Sequence, residues 1–322
     1  MQCEFVNVTT ADGLDLQGLV FAPDVSPSTR SSSTSLTADA RSGHIPNTVG
    51  VWIHGLTASF HSNPTRIRVL SEVFNSAGIA YATFDNRGHD LVTFARKNDK
   101  RKPKGYRSIT AGASYEKFTD CVFDLDAIVD CLAERFKNVI LIGHSTGANK
   151  VVYYLSRPGN DKKVSGVVLA SPVSDVALYK KDLGRNYEKA LATGRDMVKN
   201  GRGEELMSQN LVKDIRTVRR FLSLADQNSL EQMFPTREFR GPLTLFSKIK
   251  IPTLVIFGEK DDYLVGDGVS AKEIIDIFTR YHKSKVFRTL IIPDSDHGYR
   301  DHDADLARAL VRFLQRRANQ KT

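Results

Sequence analysis

Cysteine is scarce: Cys3, Cys121 and Cys131 are the only three in 322 residues. An odd, thinly spread set excludes a disulfide framework and fits a reducing compartment, so a cytoplasmic protein is expected. Long hydrophobic runs are missing too. No stretch approaches the ~20 apolar residues of a membrane-spanning helix, so no membrane span is expected. The opening MQCEFVNVTTADG has no basic segment with an apolar one behind it, so no secretory signal is expected either. No internal repeat is visible. Aromatic and basic residues do not interleave as they do on nucleic-acid-binding surfaces, so no nucleic-acid partner is expected.

Hydrophobic residues make up 41% of the chain and charged residues 26%, enough to bury a full core and stay in solution. The length suits one large domain or two modest ones. The net charge is +9. Much of that surplus lies between Arg96 and Arg107, where Lys97, Lys100, Arg101, Lys102 and Lys104 also stand. This run reads as a solvated loop. Placed beside a binding site, its cations would steer an anionic substrate inward.

The first segment reads as a hairpin: CEFVNVTT and LDLQGLVFAP alternate apolar residues on either side of an Asp-Gly turn signal. Residues 24–47, with SPSTRSSSTSLT, are too polar to be buried and read as a flexible insert. Beyond them strands and helices alternate. TVGVWIH, IAYATFD, VILI, VSGVVLA, PTLVIFG and VFRTLIIP are predominantly apolar and read as strands. Helices are expected at 64–77, 115–136, 269–281, after VILI and at the end of the chain, from apolar positions recurring every three or four residues. Strands apolar on both faces and separated by amphipathic helices predict a mostly parallel sheet covered on both sides, an α/β fold. Residues 175–248 break the rhythm: they are charged, helical and strand-free. They are expected to form an inserted helical lid between two parts of the core, 1–174 and 249–322.

VILIGHSTG, residues 139–147, carries the chemistry. Ser145 stands where a strand ends and a helix begins. So tight a turn strains its middle residue and leaves no room beside it, which is why Gly143 and Gly147 flank it. A plain strand–helix turn with serine as helix cap would look the same in isolation. A serine hydroxyl is a poor nucleophile without a base, so an acid and then a histidine are expected past later strand ends. Asp261 follows PTLVIFG, and His297 follows VFRTLIIP. His297 would take the proton from Ser145, and Asp261 would orient the imidazole. Asp262 is the nearest rival for the acid, with Glu259 too close to the strand end.

Backbone donors complete the expected site. In His54-Gly55-Leu56-Thr57, the N–H groups of Leu56 and Thr146 are placed to hold an oxyanion. His54 and His144 are expected to pack, and Asp85 and Arg87 to brace loops. His89 and Asp90 are expected near the pocket. Asp294, Asp296, His297, Asp301, His302 and Asp303 crowd together as metal ligands can. However, Asp301 and Asp303 also stand where a helix start favours acids. No metal and no cofactor is expected.

HGLTAS, FDNRGHD, GHSTG, the GEKD turn and SDHG together make the chain resemble the α/β-hydrolase superfamily over essentially its whole length. GHSTGANKVVYYL, YEKFTDCVFDLDAIVD and RRFLSLADQNSLEQMF are similar to a poorly characterised group of bacterial and fungal serine hydrolases related to fungal siderophore (fusarinine-type) esterases. HGLTAS is also similar to the motif of feruloyl-type esterases. The resemblance implies Ser–His–Asp catalysis without a cofactor on a small-molecule ester, most simply a carboxylesterase, under a helical lid that sets preference. Thioesterases, lipases and serine peptidases share that chemistry. A binding protein on the same fold, with the serine unused, is the alternative of another kind.

Overall fold

The Asp12-Gly13 turn forms as expected. Strand β1 (Gln2–Thr9) pairs antiparallel with β2 (Asp15–Ala22), and Gly13 takes a φ of 87°, which favours a residue without a side chain. In this computed structural model residues 1–23 and 47–318 are described. The Ser-rich insert, apart from Asn47, lies outside the described residues.

From there strand and helix alternate. The order is β3 (Thr48–Ile53), α1 (Pro64–Ser76), β4 (Ala80–Phe84), β5 (Thr93–Asn98), β6 (Tyr106–Ala111), α2 (Cys121–Ala133), β7 (Asn138–His144), α3 (Thr146–Leu155) and β8 (Gly166–Ala170). Three helices follow with no strand among them: α4 (Val176–Leu183), α5 (Tyr187–Lys199) and α6 (Val218–Ala225). The chain closes with β9 (Thr253–Gly258), α7 (Asp262–Asp267), α8 (Ala271–Tyr281), β10 (Phe287–Ile292) and α9 (Asp303–Ala318).

Eight strands form one sheet in the order β1-β2-β4-β3-β7-β8-β9-β10. The first two neighbour pairs are antiparallel and the rest parallel. The fold is that of an α/β-hydrolase. Strands β3, β4, β8 and β9 are buried along their whole length, as a sheet covered on both faces requires. Leu125, Val151, Ile274 and Phe278, from α2, α3 and α8, belong to the core on one face. Leu70, Phe74, Leu306 and Leu310, from α1 and α9, belong to the core on the other. The segment between β8 and β9 has its own apolar cluster, including Tyr179, Leu191, Val218 and Phe221, and Leu56 of the main body packs against it.

Two expectations are corrected. The helix expected over 115–136 begins only at Cys121, after a single 3-10 turn at Phe118–Asp120. Gly112 has a φ of 100°, and the N–H groups of Ala113 and Ser114 donate to Asp90 O and Leu91 O. The backbone there is tied to the preceding loop and is not free to coil. The basic run at 96–107 is a loop only in part: residues 99–105 form the turn of a hairpin whose strands take up both ends of the run. Strands β5 and β6 pair as a separate antiparallel hairpin. Ala95 and Ile109 pack inward against the core, while Phe94, Arg96 and Arg107 face solvent. Asn98 N–H donates to Gly13 O, fastening the hairpin to the first turn.

Candidate active site

Ser145 joins β7 directly to α3 with no linker, so one residue must reverse the chain. It does so at φ 54° and ψ −129°, a conformation that costs a non-glycine residue about 1–3 kcal/mol. The surroundings enforce it. A Cβ on Gly147 would lie 2.2 Å from Ile53 O, and one on Gly143 would lie 2.7 Å from Ala148 Cα and Gly147 O. Gly55 presses on the same spot from β3, where a Cβ would come within 2.8 Å of Ser145 Cβ. Thr57, Asp90, Ser145, Ser171, Asp294, Tyr299 and Asp301, the described non-glycine residues with positive φ, all follow the carboxyl ends of β3, β4, β7, β8 or β10. Backbone strain is gathered along one rim of the sheet, as it is at functional sites.

The three side chains singled out in the sequence meet at that rim. His297 Nε2 lies 3.0 Å from Ser145 Oγ. His297 Nδ1 lies 3.0 and 3.1 Å from the two carboxylate oxygens of Asp261. A carboxylate can only accept, so Nδ1 carries the proton and Nε2 is left to accept from the hydroxyl. Asp261 is fully buried, and its Oδ1 also accepts from Tyr263 N–H at the start of α7. Asp262, the rival acid, reaches only the backbone N–H of His297, at 3.4 Å, and Glu259 accepts from Asp294 N–H.

Further contacts hold the His297 ring. Tyr263 stacks on the His297 ring with centroids 4.2 Å apart. His144, itself stacked on Trp52, donates through Nε2 to His297 O at 3.0 Å. Burial and the neighbouring His297 keep the pKa of His144 well below the usual imidazole value, so it acts as a neutral donor. His54 is likewise neutral: burial first, then Lys150, pushes its pKa down to about 3. Its Nδ1–H donates to Gly55 O, and its Nε2 accepts from Asn86 N–H. The two histidines set the loops on either side of the serine. Arg87 braces its loop through Asp124 and Asp12, and Asp85 accepts from Phe60 N–H. His89 and Asp90 pair with each other at 2.8 Å.

The N–H groups of Leu56 and Thr146 donate to no acceptor among the described residues. One adjoins Gly55, the other is the first residue of α3, where a helix leaves its N–H groups unpaired. Both donors flank Ser145, directly or through Gly55, and are unspent.

Sequence reasoning missed the buried charges beneath. Lys150, one turn into α3, pairs with Glu116 at 2.5 Å and donates to Asn86 Oδ1 at 2.6 Å. Arg220 on α6 pairs with Glu116 at 3.2 Å and with Glu231 at 2.5 Å. All four are almost wholly buried. They come from positions spread over more than a hundred residues, so no local spacing announces them. Asp175, just beyond β8, is another buried carboxyl that the sequence did not mark. Among the described residues no group of three or more His, Cys, Asp or Glu side chains is arranged to hold a metal ion. Of the acids near His297, Asp303 pairs with Arg66 and Asp294 with Lys260. No described helix is long and apolar enough to cross a membrane.

Solved structures share this fold. An esterase of Pyrococcus furiosus, Pf2001, is similar over 98% of this chain and 92% of its own, with a TM-score of 0.54 and 18% identity. Est1E of Butyrivibrio proteoclasticus, solved with ferulic acid bound, matches over 97% and 99% at a TM-score of 0.59 and 15% identity. A putative aryl esterase of Burkholderia cenocepacia matches over 98% and 100% at a TM-score of 0.54 and 17% identity. No curated protein matches the sequence. Residues 113–315 match the model of a family described as "Protein of unknown function (DUF1749)".

Proposed function

The chain belongs to the DUF1749 family, and we propose that it is a serine hydrolase that cleaves carboxylic esters through a covalent acyl-enzyme. The observation that carries the reading is the unbroken hydrogen-bonded line Asp261–His297–Ser145, at 3.0 Å on each side of the imidazole. Ser145 Oγ attacks the ester carbonyl while His297 Nε2 takes its proton. The oxygen of the tetrahedral intermediate gains negative charge and is held by Leu56 N–H and Thr146 N–H, each worth roughly 3 kcal/mol in the transition state. His297 then protonates the leaving alcohol. Water, deprotonated by the same nitrogen, releases the acid and frees Ser145. Asp261 stays ionised and balances the imidazolium in both halves.

The helical segment 175–248 acts as a lid that shapes the cleft. Its support is the Leu56 side chain: the residue offering one oxyanion donor is packed into the lid's own cluster. The hairpin β5–β6 lies against the same side, since Ser114, just past it, accepts from Thr217 N–H of the lid. Its cations would draw in an anionic ester. Aryl esters, alkyl esters and fusarinine-type esters are the classes to screen, and the cytoplasm, where three free cysteines survive, is the proposed location.

A fluorophosphonate probe with p-nitrophenyl ester turnover tests the reading. Ser145 is labelled and Ser145→Ala abolishes turnover with the unfolding temperature unchanged, since alanine keeps the same strained backbone. An unlabelled Ser145 in a folded protein that turns over no ester means a binding protein instead.

A further inference from the structure

Asp175 is a buried carboxyl with nothing to hold it. It follows β8 at the start of α4 and is 8% exposed. It does not cap that helix: Val176 N–H is taken by Ser174 Oγ, and the Asp175 side chain accepts nothing from the first turn. Among the described residues no hydrogen bond or ion pair reaches its carboxylate oxygens. Its oxygens are not among the sealed, unpartnered side-chain atoms of the described residues, so they remain open to water or to a ligand.

The charged and titratable groups close enough to act on Asp175 come from several elements. They are His297 beyond β10, Tyr263 on α7, Tyr179 on α4, and Arg216, Arg220 and Glu231 from the lid. Helix α4, which Asp175 precedes, packs against α7, and the Tyr263 ring of α7 stacks on His297. Arg220 is committed to Glu231 and Glu116. Arg216 is 4% exposed and donates through NH1 to Ile215 O and Ser114 Oγ, but its Nε finds no partner. Burial, then Glu231, pushes the Asp175 pKa up to about 7, against the pull of Arg220, His297 and Arg216.

We propose that Asp175 determines substrate specificity by accepting a hydrogen bond from a neutral donor, a hydroxyl or an amide N–H, carried by the ester. The proposal rests on the serine-hydrolase reading above. A neutral donor fits better than a cation. An ammonium group would meet the guanidinium groups of Arg216 and Arg220, whereas a hydroxyl or amide satisfies the carboxyl without adding charge. Arg216 keeps its unused Nε–H for the oxygen of the same group.

The test compares kcat/KM for p-nitrophenyl hexanoate, 6-hydroxyhexanoate, 6-acetamidohexanoate and 6-ammoniohexanoate, with the butyrate and 3-hydroxybutyrate pair as a shorter set. The wild type favours a hydroxy or acetamido ester over its plain counterpart by about tenfold, the worth of one hydrogen bond. Asp175→Leu brings that ratio to about one, and Asp175→Asn, which can still accept, keeps part of it. In the wild type the ratio rises as pH passes through about 7, because the ionised carboxylate is the stronger acceptor. In Asp175→Asn it is flat. Any pH effect on the acyl-transfer step common to both esters cancels in the ratio.

Fluorophosphonate labelling of each variant reports whether the site is assembled, and the isosteric Asp175→Asn carries the pH arm should the leucine variant not fold. A wild-type ratio near one, a ratio unmoved in Asp175→Leu, or a preference for the ammonium ester overturns the proposal while labelled Ser145 leaves the hydrolase reading standing. No labelling and no turnover of any ester overturns both.

Discussion

Helix α3 carries two buried polar clusters of opposite kinds. At its start, Asp261, His297 and Ser145 form a line with one full charge, ending in a hydroxyl with a proton to give. A turn along, Lys150, Glu116, Arg220 and Glu231 form a closed set of two cations and two anions, each matched. In the proposed mechanism the first changes protonation state, one proton passing from Ser145 to His297 while Asp261 stays ionised. The second is balanced so that nothing in it need move. Both are buried, so burial alone does not separate the two; the balance of charge does.

Breaking the line should cost the most, and cost it in rate. Asp261→Asn should lower kcat by about 10,000-fold, because the amide favours the wrong imidazole tautomer. Its unfolding temperature should move far less than that of a variant in the closed set. A small loss of kcat would mean that Asp262 or another acid serves. Next comes Arg220→Met, which leaves Glu231 with Ser223 as its side-chain partner and strips one cation from Glu116. Removing one partner of a buried pair costs about 3–5 kcal/mol, so chemical denaturation should show a loss of that size. A neutral result would mean the set is dispensable to the frame.

Gly147→Ala should blur the two behaviours. Its Cβ would press on Ile53 O and His54 O, backbone atoms that cannot swing aside. A loss of about 1–3 kcal/mol is expected, together with slower turnover as the loop bearing Leu56 shifts. Stability lost with turnover intact would separate that loop from the chemistry. The smallest effect belongs to the hairpin. Replacing exposed Lys100, Lys102 and Lys104 with Gln should slow hydrolysis of an anionic ester by at most about tenfold at low salt. It should leave a neutral ester unaffected, and the difference should vanish at 1 M salt, where screening acts within about 3 Å. Equal slowing of both esters would remove steering.

The sheet was legible because its strands are apolar on both faces, and each of Ser145, Asp261 and His297 stands just beyond one of them. The side chains meet as their order along the chain suggested, and their catalytic role is the proposal above. The hairpin escaped notice because lysine and arginine on its outer face hide the period-two pattern that Ala95 and Ile109 still carry inside. Helix α2 was drawn too long because apolar spacing cannot reveal that Ala113 and Ser114 spend their N–H groups on an earlier loop. The set around Lys150 was invisible because lysine and glutamate ordinarily mark surface. Asp175 gave no sign because its distinction is the partner it lacks.

Strand β10 is the last to join and occupies the sheet's outer margin, held on one side by β9 alone. His297 rides on its far end, 152 residues after Ser145. A nascent chain therefore displays its hydroxyl long before its imidazole has been synthesised. On the proposed mechanism, ribosomal output is inert until that marginal strand docks, and loosening the same strand later would switch the finished protein off while leaving most of its architecture in place.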